Sequence, residues 1–181
     1  MDHIDRQILE LLQQDGRRTN LDIAQTVGLS APSVSERIKK LTLGGYIKRY
    51  VALLDPKRVR RDTTAFISVM LSRPRYAEGF IESIMEIADV LECHHITGEY
   101  SYLLKIRTGD TDSLGELISE RIRAIEGVTG TRTNVVLGTV KEETALDLSA
   151  IGAEAPTSEG ARRRRESPGV TARPPGGDSD A

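Results

Sequence analysis

The sequence has no Trp, a single Cys, two Phe and no long apolar run in its 181 residues. Each scarcity narrows the possibilities. The lone Cys93 excludes an intramolecular disulfide framework and suits a reducing compartment. No stretch approaches the roughly 20 apolar residues of a membrane-spanning helix. The N-terminus opens on charged residues without an apolar core, so no signal peptide is visible and a cytoplasmic location is expected. No Gly-x-Gly-x-x-Gly or phosphate-binding loop occurs, and the GGDSD near the C-terminus lacks the strand and helix such a loop needs. Cys93, His94 and His95 are adjacent, but no Cys-x-x-Cys or His-x-x-x-His accompanies them. On a strand Cys93 and His95 share one face while His94 points away, and two ligands do not complete a tetrahedral site. Neither a metal nor a cofactor is expected. Glu78, Glu82 and Glu86 recur every four residues, the pattern of a solvated helix face.

What the chain does contain is unevenly spread. The hydrophobic fraction is 38%, low for one compact domain, and the length allows one large domain or two small ones. The formal charge of −2 divides into a net of +4 over residues 1–62, −6 over 63–148 and zero over 149–181. A basic front and an acidic middle point to two domains with different partners.

The basic part carries the most organised stretch, 20–41. Asn20 is placed to cap a helix whose face is Leu21, Ala24 and Val27. Gly28 suits the helix end, Ser30 a second cap, and Pro32 the first turn of the helix that follows. Val34, Ile38 and Leu41 form the apolar stripe of that second helix. A small residue at 24, a turn glycine at 28 and a buried aliphatic at 34 are what a DNA-binding helix-turn-helix requires. The other face of the second helix carries Ser33, Ser35, Glu36, Arg37, Lys39 and Lys40. Short hydrogen-bonding groups near the N-terminus can read base edges, and cations can meet phosphates. A solvated charged face of an ordinary helical hairpin would look similar. Before this pair, Asp2 caps a first helix with Ile4, Ile8, Leu11 and Leu12 on one face and Gly16 at its end. After it, Gly44-Gly45 breaks the chain and residues 46–54 read as a strand, the wing of a winged helix, with Lys48 and Arg49 placed for phosphates. Asp55-Pro56 stops the strand, and Lys57, Arg58, Arg60 and Arg61 make a basic linker.

From Thr63 the periodicity changes. Strands are expected at 64–71, 90–97, 102–107 and 128–136, with helices at 76–88 and 111–125 and a short fifth strand segment before Leu148. The order is βαββαβ, the ferredoxin-like (ACT-like) arrangement. The fold class is therefore α+β. Strands apolar on both faces imply a second copy packed sheet to sheet. The expected domains are 1–54 for DNA binding, 55–63 as linker, 64–148 as a ferredoxin-like oligomerisation domain, and 149–181 as a disordered tail. In that tail the run Arg162–Arg165 either adds sequence-independent DNA affinity or does nothing specific.

Six stretches together resemble the Lrp/AsnC, or feast/famine, regulators. They are IDRQILELLQQDGR, IAQTVGLS, ERIKKL, GYIKRYVALLDP, ECHHITGEYSYLLK and GVTGTRTNVV, spanning nearly everything but the tail. The resemblance implies a transcription regulator of double-stranded DNA, nucleoid-associated, dimeric or assembled from dimers, that senses an amino acid or related small metabolite. It implies an effector held between neighbouring subunits by Gly98, Glu99, Tyr100 and Ser101 and by Thr131, Thr133 and Asn134. The family pattern Gly-Asp-x-Asp-Tyr stands here as Gly98-Glu99-Tyr100-Ser101-Tyr102, so one carboxylate is kept on a longer arm and the second is gone. Asn134 stands where an aromatic is often found. On this reading Ser33, Ser35, Glu36 and Lys39 read bases, Arg37, Lys40, Lys48 and Arg49 contact phosphate, and no residue is catalytic. Three alternatives are a DNA-binding regulator with no effector, a sirohaem-decarboxylase-like enzyme of the same architecture with His94 or His95 as proton donor, and a sensing module that has lost DNA binding. The intact cationic helix face argues against the last two.

Overall fold

The structure, a computed structural model, describes residues 1–150; the Arg162–Arg165 run lies outside them. They form two compact units. One holds Met1–Tyr50 together with the described residues 144–150, the other Val51–Glu143.

The first unit is three helices, α1 (His3–Gln14), α2 (Asn20–Val27) and α3 (Ala31–Leu43). Asp2 caps α1 in a reciprocal capping box with Asp5. The cap of α2 is Thr19 rather than Asn20, because Thr19 forms a capping box with Asp22 and so takes Asn20 into the first turn. Gly28 ends α2 at φ 70°, a left-handed position that glycine enters without a Cβ clash. Ser30 caps α3, and Pro32 lies in its first turn. Ile8, Ile23, Ala24, Val34 and Leu41 form the core of this unit. The chain returns to it at its far end. The Gln13 side-chain amide donates to Leu146 O at 3.1 Å and accepts from Leu146 N at 2.7 Å, and Leu148 is buried.

The second unit is a four-stranded antiparallel sheet under two helices. Its elements are β1 (Thr63–Leu71), α4 (Ala77–Met85) after a 3-10 turn at Pro74–Tyr76, β2 (Val90–His95), β3 (Tyr102–Thr108), α5 (Thr111–Glu116) and β4 (Val128–Val135). The helix of α5 continues as a wider π-type segment over Leu117–Ile122. The strand order β2-β3-β1-β4 is the ferredoxin-like one expected. Register assigns the faces. Ala65, Ile67 and Val69 of β1 lie beside Ile106, Leu104 and Tyr102 of β3, and all six are buried under Phe80, Ile84, Leu114, Leu117 and Ile122. On the opposite, open face lie Phe66 and Met70 of β1 with Leu103, Lys105 and Arg107 of β3.

Two expected strands are not formed. Residues 46–54 carry no strand, so the helix-turn-helix here has no paired wing, and no fifth strand forms between β4 and Leu148. A strand needs a neighbour for its backbone N–H and C=O groups. Tyr50, Val51, Leu53 and Leu54 are all exposed, as are Leu137 and Val140.

Candidate functional site

The helix-turn-helix is built as its spacing requires. Ala24 and Val34 are buried, and the turn between them is closed by Leu29 N donating to Ala24 O at 3.1 Å. That packing fixes which side of α3 faces out. Ser33, Ser35, Glu36, Lys39 and Lys40 are exposed, as are Lys48 and Arg49 beyond the helix. The Ser33 hydroxyl lies 2.8 Å from that of Ser30 at the helix start. Lys40 and Glu36 pair at 3.6 Å one turn apart, both well exposed, a contact that solvent weakens.

Arg37 is different. It lies three residues after buried Val34 and four before buried Leu41, at the flank of the core-facing stripe. Its Nη1 donates to Asp2 Oδ2 and Asp5 Oδ1, each at 2.7 Å. Asp5's backbone N–H and then the Arg37 guanidinium hold the Asp2 carboxyl below its ordinary range, and the two carboxylates push the guanidinium up.

In the second unit the residues 98–101 join β2 to β3. Gly98 has φ 112°, a conformation L side chains rarely adopt, with no atom within 4 Å of where a Cβ would stand. Ser101 N donates to Val69 O at 2.9 Å, and Ile96 N to Ser101 O at 3.0 Å, so the loop is pinned to the end of β1. Val69 is paired on its other side with Thr131 of β4. The loop and Thr131 therefore flank one strand, about 10 Å apart, two strand spacings. Glu99 is exposed beside them. Thr133 lies opposite Ile67, on the same face as Thr131, whereas Asn134 lies opposite Phe66 on the open face. The register thus brings Thr131 and Thr133 together and sets Asn134 apart.

The open face also carries a charged network that the sequence pattern does not signal. Lys105 donates to Glu142 at 2.5 Å and to Glu92 at 3.2 Å, and Arg107 donates to Glu142 at 2.7 Å. Lys105 and Arg107 keep only 17% and 15% of their side chains exposed, while Glu142 keeps 44%. Hydrogen bonds from Lys105 and Arg107 hold the Glu142 carboxyl below its ordinary range. His94 pairs with Glu92 at 3.1 Å on this face, and Cys93 and His95 face the helices, His95 against the Tyr102 ring. Among the described residues no group of three or more His, Cys, Asp or Glu could hold a metal ion, and no helix is long and apolar enough to cross a membrane.

A helix-turn-helix with an exposed polar and cationic face, joined to a four-stranded α+β sheet domain, defines a DNA-binding regulator with a separate sensing domain. Residues 1–42 match the AsnC-type helix-turn-helix domain, and residues 64–146 match the Lrp/AsnC ligand binding domain. The leucine-responsive regulatory proteins of Klebsiella pneumoniae and Escherichia coli K12 are each 36% identical over 148 residues, 81% of this chain and 90% of theirs. A transcriptional regulator of Neisseria meningitidis in complex with L-methionine superposes with a TM-score of 0.79 at 32% identity, over 82% of this chain and 97% of that one. The feast or famine regulatory protein of Mycobacterium tuberculosis complexed with L-methionine does so at 0.75 and 30% identity, over 80% and 97%. The chain belongs to the Lrp/AsnC family of DNA-binding transcriptional regulators. Its relatives are transcriptional regulators.

Proposed function

We propose that this chain regulates transcription by reading double-stranded DNA with α3 and by changing its assembly or DNA affinity when an amino acid binds its sheet domain. The observation that carries the DNA half is the outward polar face of α3. Ser33, Ser35, Glu36 and Lys39 meet base edges, while Lys40, Lys48 and Arg49 meet phosphate. The observation behind the effector half is the loop 98–101, pinned to β1 beside Thr131. Backbone N–H groups at such a loop suit an α-carboxylate, and Glu99 supplies a carboxylate for an α-ammonium. Relatives captured with L-methionine support the same class of ligand. Thr131 and Thr133 complete the pocket from β4, with Gly98, Tyr100 and Ser101 shaping its mouth.

The chain works as a homodimer or a higher assembly of dimers. Leu53, Leu54, Leu137 and Val140 are exposed on one chain, and the last two keep essentially their whole side chains in solvent. A second copy supplies both the apolar cover and the strand partner that 46–54 lacks. Two recognition helices then address half-sites about one helical turn apart, or a multiple of it.

A gel shift on DNA upstream of the protein's own gene, with excess non-specific competitor at two salt concentrations and with or without an amino-acid pool, tests this. A competitor-resistant shift that changes with the pool is expected. Lys39→Ala should weaken the specific complex by ~1–3 kcal/mol while leaving non-specific binding in place. Equal weakening on all sequences would move Lys39 to the phosphate contacts. A shift that no amino acid alters would remove the effector half.

A further inference from the structure

Asp2, Asp5 and Arg37 form one hydrogen-bonded cluster. Asp2 Oδ1 accepts from Asp5 N at 2.8 Å, and Asp5 Oδ2 accepts from Asp2 N at 3.0 Å, closing the cap of α1. The remaining oxygen of each carboxylate, Asp2 Oδ2 and Asp5 Oδ1, accepts from Arg37 Nη1 at 2.7 Å. All four carboxylate oxygens are thus engaged, two on the start of α1 and two on α3. Asp5 keeps 17% of its side chain exposed and Arg37 30%, so that pair is sheltered compared with Lys40–Glu36, while Asp2 is about half exposed at 52%. The three side chains together carry a net charge of −1. That cluster repels a phosphate, and the Arg37 nitrogen turned toward α1 is already committed to two charge-assisted hydrogen bonds.

From this geometry we infer that Arg37 is a positioning residue, which with Asp2 and Asp5 latches α3 to the start of α1 and fixes the rotation at which α3 is presented to the groove. The inference rests on the reading of α3 as the recognition helix. The latch holds the helix by its flank, one turn from Ser33 and Lys40, so its loss shifts the reading residues while leaving the cations that meet phosphate. Sequence discrimination suffers, and bulk electrostatic attraction does not.

Affinities of the full-length protein for its operator and for unrelated DNA, each at several salt concentrations, separate the two roles. Arg37→Ala is expected to weaken operator binding about tenfold, the equivalent of ~1.4 kcal/mol, to leave unrelated DNA within about twofold, and to keep the slope of log affinity against log salt. A phosphate contact predicts instead weakening on both DNAs and a slope shallower by about 0.9. Asp2→Asn with Asp5→Asn keeps residues that cap helices well and leaves the Arg37 charge intact. It should lose operator discrimination as Arg37→Ala does. Tighter binding of both DNAs by that double variant, or the phosphate pattern for Arg37→Ala, would overturn the latch. Arg37→Lys should recover part of the discrimination and gives the same readout if Arg37→Ala does not fold. Lys39→Ala is measured alongside. Binding of both DNAs unchanged by Lys39→Ala would remove the reading of α3 itself, an outcome distinct from failure of the latch.

Discussion

Three glycines of the sheet unit make a graded test of the fold. At Gly127 the backbone has φ 88°, and a Cβ there would stand 2.3 Å from Tyr76 Cγ, 2.4 Å from Tyr76 Cβ and 2.7 Å from Cδ2. These are not the far end of a flexible side chain. Tyr76 Cβ is fixed by its own backbone in the 3-10 turn Pro74–Tyr76, so relief requires that turn or the start of β4 to move. The turn is held by Ser72 N donating to Gly127 O at 2.8 Å. Gly127→Ala therefore adds left-handed strain of ~1–2 kcal/mol to overpacking of ~1–3 kcal/mol, less ~0.4–1 kcal/mol from a stiffer unfolded chain. The net is a destabilisation of about 3 kcal/mol. At Gly98, also left-handed, no atom stands within 4 Å of the built Cβ, so only the strain remains and Gly98→Ala should cost about 1 kcal/mol. Gly79 lies inside α4, exposed and with open space around it, so Gly79→Ala should stabilise by up to ~1 kcal/mol through helix propensity. Amide exchange of the β1 and β3 strands reads the stability of this unit separately from the helical one. If Gly127→Ala falls within about 0.5 kcal/mol of Gly98→Ala, the Tyr76 contact contributes nothing and the packing at the start of β4 is misjudged.

Two further outcomes follow from the ion network and the C-terminal return. Glu142 has a depressed carboxyl pKa in the folded state, so its contribution is present above the ordinary carboxylate range and lost as pH falls through the folded value. Glu142→Gln should flatten the acid limb of stability of the sheet unit, modestly because the carboxyl is partly solvated. An unchanged profile from neutral pH to about pH 3 would show that the pairs with Lys105 and Arg107 add nothing. Gln13→Ala removes both hydrogen bonds that hold Leu146 to α1. Exchange of the Leu146 amide should then speed up by tenfold or more, the loss of ~1.4 kcal/mol of protection, and unchanged exchange would place that protection elsewhere.

Helices and sheet order were readable because they depend on local pattern. Val34 and Leu41 recur at the helical period, and Ala65, Ile67 and Val69 at the strand period, and the structure buries all five. The misreadings have a shared cause. Asn20 and Thr19 are adjacent residues of capping type, and the choice between them depends on Asp22 answering Thr19, a reciprocal pair rather than a propensity. Residues 46–54 have strand composition, but composition cannot supply the neighbour that a ladder needs. The pairing of Arg37, one of three cations on the helix, with Asp2 and Asp5 was likewise beyond local pattern, because those partners stand more than thirty residues earlier. The Glu142 network was invisible for the same reason, since its members are 37 and 35 residues apart.

The seven residues implied for an effector illustrate how register decides what a resemblance leaves open. Thr131, Thr133 and Asn134 sit together in sequence, but a strand alternates its side chains, and the pairing Phe66–Asn134 against Ile67–Thr133 puts them on two faces. Thr131 lies opposite Val69, to which the loop 98–101 is pinned, and Thr133 follows it along the same face. Asn134 instead joins Phe66, Lys105 and Arg107 on the open face of the sheet. The polar residue at 134 and the missing second carboxylate at 101 are therefore separate departures: the first lies on the open face of the sheet, the second in the loop pinned to β1.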